Sequence, residues 1–134
     1  MKKFLLSILI VFLVSCASNS PPSTTTDVCK IFKERYSWYK AAKKTEKRWK
    51  IPVYVSMAII KQESSFRADA RPERTKLLGF IPWKRVTSAR GYAQAVDGTW
   101  EMYLQDRGGW FKSRNDFEDS VDFVGWYNYK THKQ

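Results

Sequence analysis

From Val53 to Ile60 the chain reads Val-Tyr-Val-Ser-Met-Ala-Ile-Ile, with Pro52 before it and Lys61-Gln62-Glu63-Ser64 after it. Proline in a first helical turn forfeits no hydrogen bond, so the stretch predicts a helix over 53–64. It is the most apolar element beyond the N-terminal run, and a helix of that kind is stable only as the centre of a core. The other elements must therefore wrap around it. They supply enough apolar periodicity to do so. Ile31, Phe32, Tyr36, Tyr39, Ala42 and Trp49 recur at three- and four-residue intervals and predict one helix from Val28 to Trp49, capped by Asp27. Asp97 reads as the N-cap of a helix from Gly98 to Asp106 closed by Gly108-Gly109, and Asn115-Asp116-Phe117-Glu118 as a capping box with Asn as cap. The helix that follows runs to His132 with Val121, Val124 and Tyr127 or Asn128 along one side. Between Arg67 and Arg90 the periodicity breaks at Pro72, Gly79 and Pro82, and Leu77–Ile81 predicts part of a small hairpin, read as an inserted flap beside a cleft. The expected fold class is all-α, a single domain with a small β-hairpin insertion.

The N-terminus reads differently. Met1-Lys2-Lys3 precedes an apolar run, Phe4–Val14, broken only by Ser7. Eleven residues give about 16 Å of helix, too little for a hydrocarbon core of about 30 Å. The expectation is a secretory signal over 1–15. Leu13-Val14-Ser15-Cys16 resembles a bacterial lipobox, which implies cleavage before Cys16, lipidation of Cys16 and a membrane partner through that lipid. Ala17 rather than Asp follows, which by similarity to enterobacterial lipoproteins implies the outer membrane, facing the periplasm. Residues 16–28, rich in Pro, Ser and Thr, read as a lipidated flexible tether. Cys29 is then left without a partner and is expected as a small buried hydrophobe. Cleavage removes Lys2 and Lys3 and lowers the formal charge from +11 to +9, which suits anionic headgroups or peptidoglycan and, in an exported chain, not nucleic acid. No oligomer is implied, and no zinc-ligand spacing, nucleophile elbow or phosphate loop calls for a metal or cofactor.

Chemistry concentrates at the end of the central helix. Positions 56, 59, 60 and 63 share a face, so Glu63 lies beside Ile59 and Ile60 and is expected to be partly desolvated. An exposed glutamate is protonated in only about 0.2% of copies at pH 7. Desolvation raises that share towards what a general acid uses. Asp69 and Asp97 are the candidate second carboxylates, and neither stands in a convincing partner motif.

Gln62-Glu63-Ser64, with Gly91-Tyr92-Ala93-Gln94 downstream, resembles the paired blocks of the lytic transglycosylase (SLT) domain in the goose-type lysozyme-like superfamily. That family's second block has Leu-Met where this chain has Tyr92-Ala93, and its blocks stand roughly a dozen residues closer together. Trp126-Tyr127-Asn128-Tyr129 partly matches a third block but lacks its following glycine. The resemblance implies a lysozyme-like domain over 29–134 that cleaves the MurNAc–GlcNAc bond of peptidoglycan glycan strands. It implies Glu63 as acid and then base, closing a 1,6-anhydro ring, with the substrate's acetamido group replacing a second carboxylate. Ser64, Gly91, Tyr92, Gln94 and Tyr127 would bind substrate, and Trp83 and Trp100 add aromatic faces near the cleft. A non-catalytic peptidoglycan-binding lipoprotein and a hydrolytic lysozyme stay open as alternatives. Lys130–Gln134 reads like the middle of a helix, so the expectation is a domain incomplete at its C-terminus.

Overall fold

The computed structural model describes residues 20–133; the expected signal segment and Cys16 lie outside them. Five helices follow one another: α1 Val28–Glu34, α2 Tyr36–Trp49, α3 Val53–Ser64, α4 Asp97–Arg107 and α5 Phe117–His132. Between α3 and α4 stands an antiparallel ribbon of β1 Arg74–Leu77 and β2 Ile81–Arg85. The expected class holds: mainly helical, with one small hairpin.

α3 opens at Pro52 and is buried along one side only, at Ser56, Met57, Ile60 and Ser64, so the central place expected for it belongs instead to α5, which packs on α2, α3 and α4. α5 carries more of the core than its periodicity predicts, because Phe117, Val121, Phe123, Val124 and Trp126 are all buried. Its contact with α2 is tight at Gly125. A Cβ there would stand 2.4 Å from Trp49 and 2.6 Å from Thr45, so the two helices meet only because that position has no side chain.

The single helix expected over 28–49 is two. Arg35 leaves the helical region at φ −127°, ψ 70°, and its guanidinium donates to the Ser20 carbonyl at 2.8 Å. Next to it, the backbone N–H and Oγ of Ser23 both donate to the Glu34 carboxylate, at 3.0 and 2.7 Å. The described part of the expected tether is thus fastened across the helix break, with Pro22 buried. The polar groups of Ser20 and Ser23 meet the side chains of Glu34 and Arg35 on either side of the break. Cys29, expected inside, is exposed, since it falls on the outer side of α1 while Ile31 faces the core.

Two helix starts also differ. α4 has Val96 as N-cap without a side-chain bond, because the Asp97 carboxylate is taken by Arg114 at 2.6 Å. α5 is capped one residue later than expected, by Asp116, whose carboxylate accepts from the Asp119 N–H at 3.0 Å. Asp27 caps α1 as its sequence predicts. Among the described residues no helix is long and apolar enough to cross a membrane.

Candidate active site

α3 ends because Ser65 and Phe66 both take left-handed backbone angles, φ 50° and 62°. The turn drives Phe66 into the core, 6.0 Å from the Trp38 ring. Glu63 is thereby fixed in the last turn of α3, at one side of an open groove of about 320 Å³. Ile59 lies beneath it. The facing walls come from Ala93–Val96, from Thr99 on α4, and from Phe123, Val124, Tyr127 and Asn128 on α5. Volumes near this size are typical of small-ligand clefts, and the lining combines apolar walls with few polar groups, as such clefts do. Glu63 is the one carboxylate in that lining.

The second wall is built from Gly91. Its φ is +79°, and a Cβ would stand 1.9 Å from the Arg114 carbonyl oxygen, so no other residue fits without moving backbone. The neighbour that demands glycine is thus Arg114, not α3 as its place beside the Glu63 block suggests. The turn is held on both sides: Gly91 N–H donates to the Ala70 carbonyl at 2.9 Å and Tyr92 N–H to that of Arg114 at 3.1 Å. Gln94 takes φ 48° and donates its amide nitrogen to the carbonyls of Ala70, at 2.9 Å, and Gly91, at 2.8 Å. Both amide hydrogens are used to fix the side chain. Its Oε1 takes no donor among the described residues.

Glu63 is exposed, which corrects the expectation of a sheltered carboxyl. The last turn of α3 faces an unfilled groove, so the apolar neighbours lie to one side of the carboxyl without covering it. It makes no hydrogen bond or ion pair among the described residues; Arg67 pairs instead with Asp69, at 3.6 Å. Asp69 and Asp97 therefore both have basic partners, and neither lines the groove.

Two expected substrate contacts turn inward. Ser64 is buried and its Oγ donates to the Ile60 carbonyl at 3.1 Å, within its own helix. Tyr92 is only 2% exposed, packed edge-on 5.5 Å from both the Trp38 and Phe117 rings. Burial pushes its phenol above the ordinary tyrosine range. Within this turn Tyr92 thus feeds the core, while Ala93 next to it lines the groove. Trp100 is likewise buried, and Trp83 stands on the hairpin, none of whose residues lines the groove; the flap expected beside the cleft is not part of it. Tyr127 does line the groove, half-exposed, with its ring stacked on Phe123 at 6.0 Å. Asn128 beside it donates to the Val124 carbonyl at 2.8 Å.

Two residues that organise the site were not found in the sequence. Arg114 is 6% exposed and donates to the Ala95 carbonyl at 2.8 Å and to Asp97, while its own carbonyl accepts from Tyr92 and Ser120. It clamps the Gly91–Gln94 turn to the starts of α4 and α5, and its charge holds the Asp97 carboxyl below the usual carboxylate range. Asp122 accepts from Arg48 and Trp49, both at 2.8 Å, and from Tyr103 at 2.9 Å. Burial alone would raise it, but these donors outweigh burial and hold it below the usual range. Asp122 stands out in sequence only as an acid between Val121 and Phe123, which does not specify partners, and Arg114, in the polar run Lys112–Asp116, carries no signal.

No group of three or more His, Cys, Asp or Glu side chains that could hold a metal occurs among the described residues. Comparison with curated proteins and with solved structures gave no match. The family model for the transglycosylase SLT domain matches residues 4–134. With helical architecture, a lone groove carboxylate and the glycine-built glutamine turn agreeing with a match of that extent, this chain belongs to the transglycosylase SLT domain family.

Proposed function

We propose that the protein is a lytic transglycosylase that cleaves the MurNAc–GlcNAc bond of peptidoglycan and leaves a 1,6-anhydroMurNAc end. The observation that carries this reading is a groove with one carboxylate, Glu63, that has no partner among the described residues and lines the groove with Gln94 and Tyr127. Most glycosidases use two carboxyl groups. A groove with one suits a reaction in which the substrate supplies the second function. Glu63 donates its proton to the bridging oxygen, the GlcNAc 4-hydroxyl leaves, and the acetamido group of MurNAc stabilises the positive centre at C1. The ionised Glu63 then takes the proton of the muramyl 6-hydroxyl as that oxygen bonds to C1. Atoms balance without water. Gln94 Oε1 accepts a hydrogen bond from the sugar, and Tyr127 supports an apolar sugar face.

The exposure of Glu63 bears on this reading. A glycan laid across the groove covers the carboxyl and removes its water, so the sheltered environment forms on binding. The same exposure also favours a second reading, a domain that holds glycan without cutting it. Lipidation at Cys16 and attachment to the outer membrane, facing the periplasm, complete the proposal; they rest on Leu13-Val14-Ser15-Cys16 and Ala17.

Incubation of the full chain with murein sacculi, followed by mass analysis of the released muropeptides, tests it. Anhydro ends that vanish with Glu63→Gln are expected. Reducing ends assign a hydrolase instead, and retention on sacculi without release assigns the binding role. Mass measurement of the membrane-extracted protein reads acylation at Cys16 directly.

A further inference from the structure

Among the described residues no helix packs closely on the β1–β2 ribbon. Every residue of β1 is exposed, as are all of β2 but Arg85, and none belongs to the hydrophobic core. A two-stranded hairpin is at best marginally stable in water by itself, and exposed apolar groups at its tip add nothing to solubility. Here those groups are large: Leu78 is 76% exposed, Phe80 73% and Trp83 60%.

Register sorts the ribbon into two faces. Leu77 pairs with Ile81 and Lys76 with Pro82. Opposed residues share a side and successive ones alternate. Leu77, Ile81 and Trp83 therefore form one face and Lys76, Pro82 and Lys84 the other, with Leu78-Gly79-Phe80 at the tip. Cations ring the apolar end: Arg74, Lys76 and Lys84 form no ion pair among the described residues, and between positions 71 and 90 the single acid is Glu73. Arg85 donates to the Pro72 carbonyl and pins the ribbon's base.

We propose that this hairpin is a membrane wedge that docks on a bilayer surface rich in anionic phospholipid. The dimensions agree. Arg74 lies three residues up the strand from Leu77, about 10 Å at 3.3–3.4 Å per residue. Interfacial elements sink their apolar side about 5–10 Å below the headgroups. With the tip at that depth, Trp83 sits at the interface and the two lysines reach back to phosphate along their own methylene stems. Glycan fits less well. Phe80 and Trp83 offer a flat face, but Leu77, Leu78 and Ile81 around them offer sugars neither that nor a side-chain hydrogen-bond donor, and no hairpin residue lines the groove. The proposal goes beyond the catalytic reading and shares no residue with it. It agrees with the anchor proposed at Cys16: five residues lie between that position and the buried Pro22, and the six Cα steps reach at most roughly 21 Å.

The full chain, added to vesicles whose acyl chains carry bromine, tests the wedge through tryptophan quenching, with Trp83→Phe subtracted to isolate the Trp83 signal. Quenching of Trp83 is expected on vesicles containing phosphatidylglycerol and much less on pure phosphatidylcholine. Lys76→Gln with Lys84→Gln lowers the docked-to-free ratio roughly 30-fold, at about a factor of five per basic residue near such a surface. Leu78→Ser with Phe80→Ser abolishes docking, and circular dichroism confirms that the helices persist. Glu63→Gln leaves the quenching unchanged, which separates failure of the wedge from failure of the catalytic reading. Absence of Trp83 quenching on both vesicles overturns the proposal. Equal quenching on both overturns the anionic-lipid requirement. Hairpin-dependent retention on sacculi without vesicle quenching overturns it in favour of glycan.

Discussion

Asp122 on α5 and Glu63 on α3 are two carboxylates that the fold treats in opposite ways. Asp122 is buried and accepts hydrogen bonds from Arg48, Trp49 and Tyr103, with Arg107 at 3.5 Å. Those donors come from α2 and α4, so one side chain ties three helices together. Glu63, at the groove on α5's other side, is exposed and has no partner among the described residues. A carboxylate held by three hydrogen bonds is too well satisfied to exchange protons with a substrate. One with no partner costs the fold nothing and is free to act. In this domain burial marks the structural acid and exposure the candidate catalytic one, contrary to what a general-acid argument from the sequence anticipates.

The comparison breaks most readily at Glu63. Glu63→Gln is expected to lower murein cleavage by about 10²- to 10⁴-fold, the range of general acid–base contributions. Thermal stability should stay within about 0.5 kcal/mol, since an exposed unpartnered side chain is replaced. A cleavage rate equal to wild type removes Glu63 from the chemistry.

Asp122→Ala should show the reverse. Cleavage would fall only as far as folding does, and stability should drop by roughly 3–5 kcal/mol because the Arg48 and Arg107 charges and two buried donors lose their acceptor. Chemical denaturation measures it. The pH dependence follows from the sign of the Asp122 shift. Its folded value lies below the ordinary carboxylate value of 3.8, so the native state binds this proton less readily than the unfolded chain. Its stabilisation is fully present above the unfolded value and is lost as pH falls through the folded one. Unfolding midpoints followed from neutral pH down to about pH 2 should show an acid limb that Asp122→Asn flattens; an unchanged limb assigns the acid sensitivity to other carboxylates.

Gly91→Ala probes the wall that faces Glu63. The left-handed angle alone costs roughly 1–3 kcal/mol, and the 1.9 Å approach to the Arg114 carbonyl forces the turn to shift as well. Loss of both stability and cleavage is expected. A variant that keeps wild-type stability shows that the turn tolerates displacement. The smallest effect belongs to Tyr127→Ala, which removes a stacking face from the groove. It should raise the glycan concentration needed for half-maximal cleavage by about 5- to 10-fold, equivalent to roughly 1 kcal/mol, with the melting temperature little changed because the ring is half-exposed.

Much of this was readable residue by residue. Pro52, the apolar run to Ile60 and the break after Ser64 set α3; Asp27 set the start of α1; Gly79 between two short runs set the hairpin. Glu63 and Gln94, though 31 residues apart, do line one groove, whereas Gly91, expected to bind substrate, shapes the turn without lining it. Within the motifs, however, side-chain direction was not readable. Ser64 and Tyr92 lie next to groove residues in sequence and point into the core.

Sequence alone determined the helical class, the span of α3 and the positions where backbone must turn, because those depend on interactions within about four residues. Tertiary structure decided which neighbours of Glu63 and Gln94 reach the cleft, why Gly91 must be glycine, and that Asp122 rather than Asp97 is the buried acid. Each of these depends on a partner far along the chain: Arg48 meets Asp122 across 74 residues and Arg114 meets Asp97 across 17. Local pattern fixes where a side chain starts, and only packing fixes what it meets.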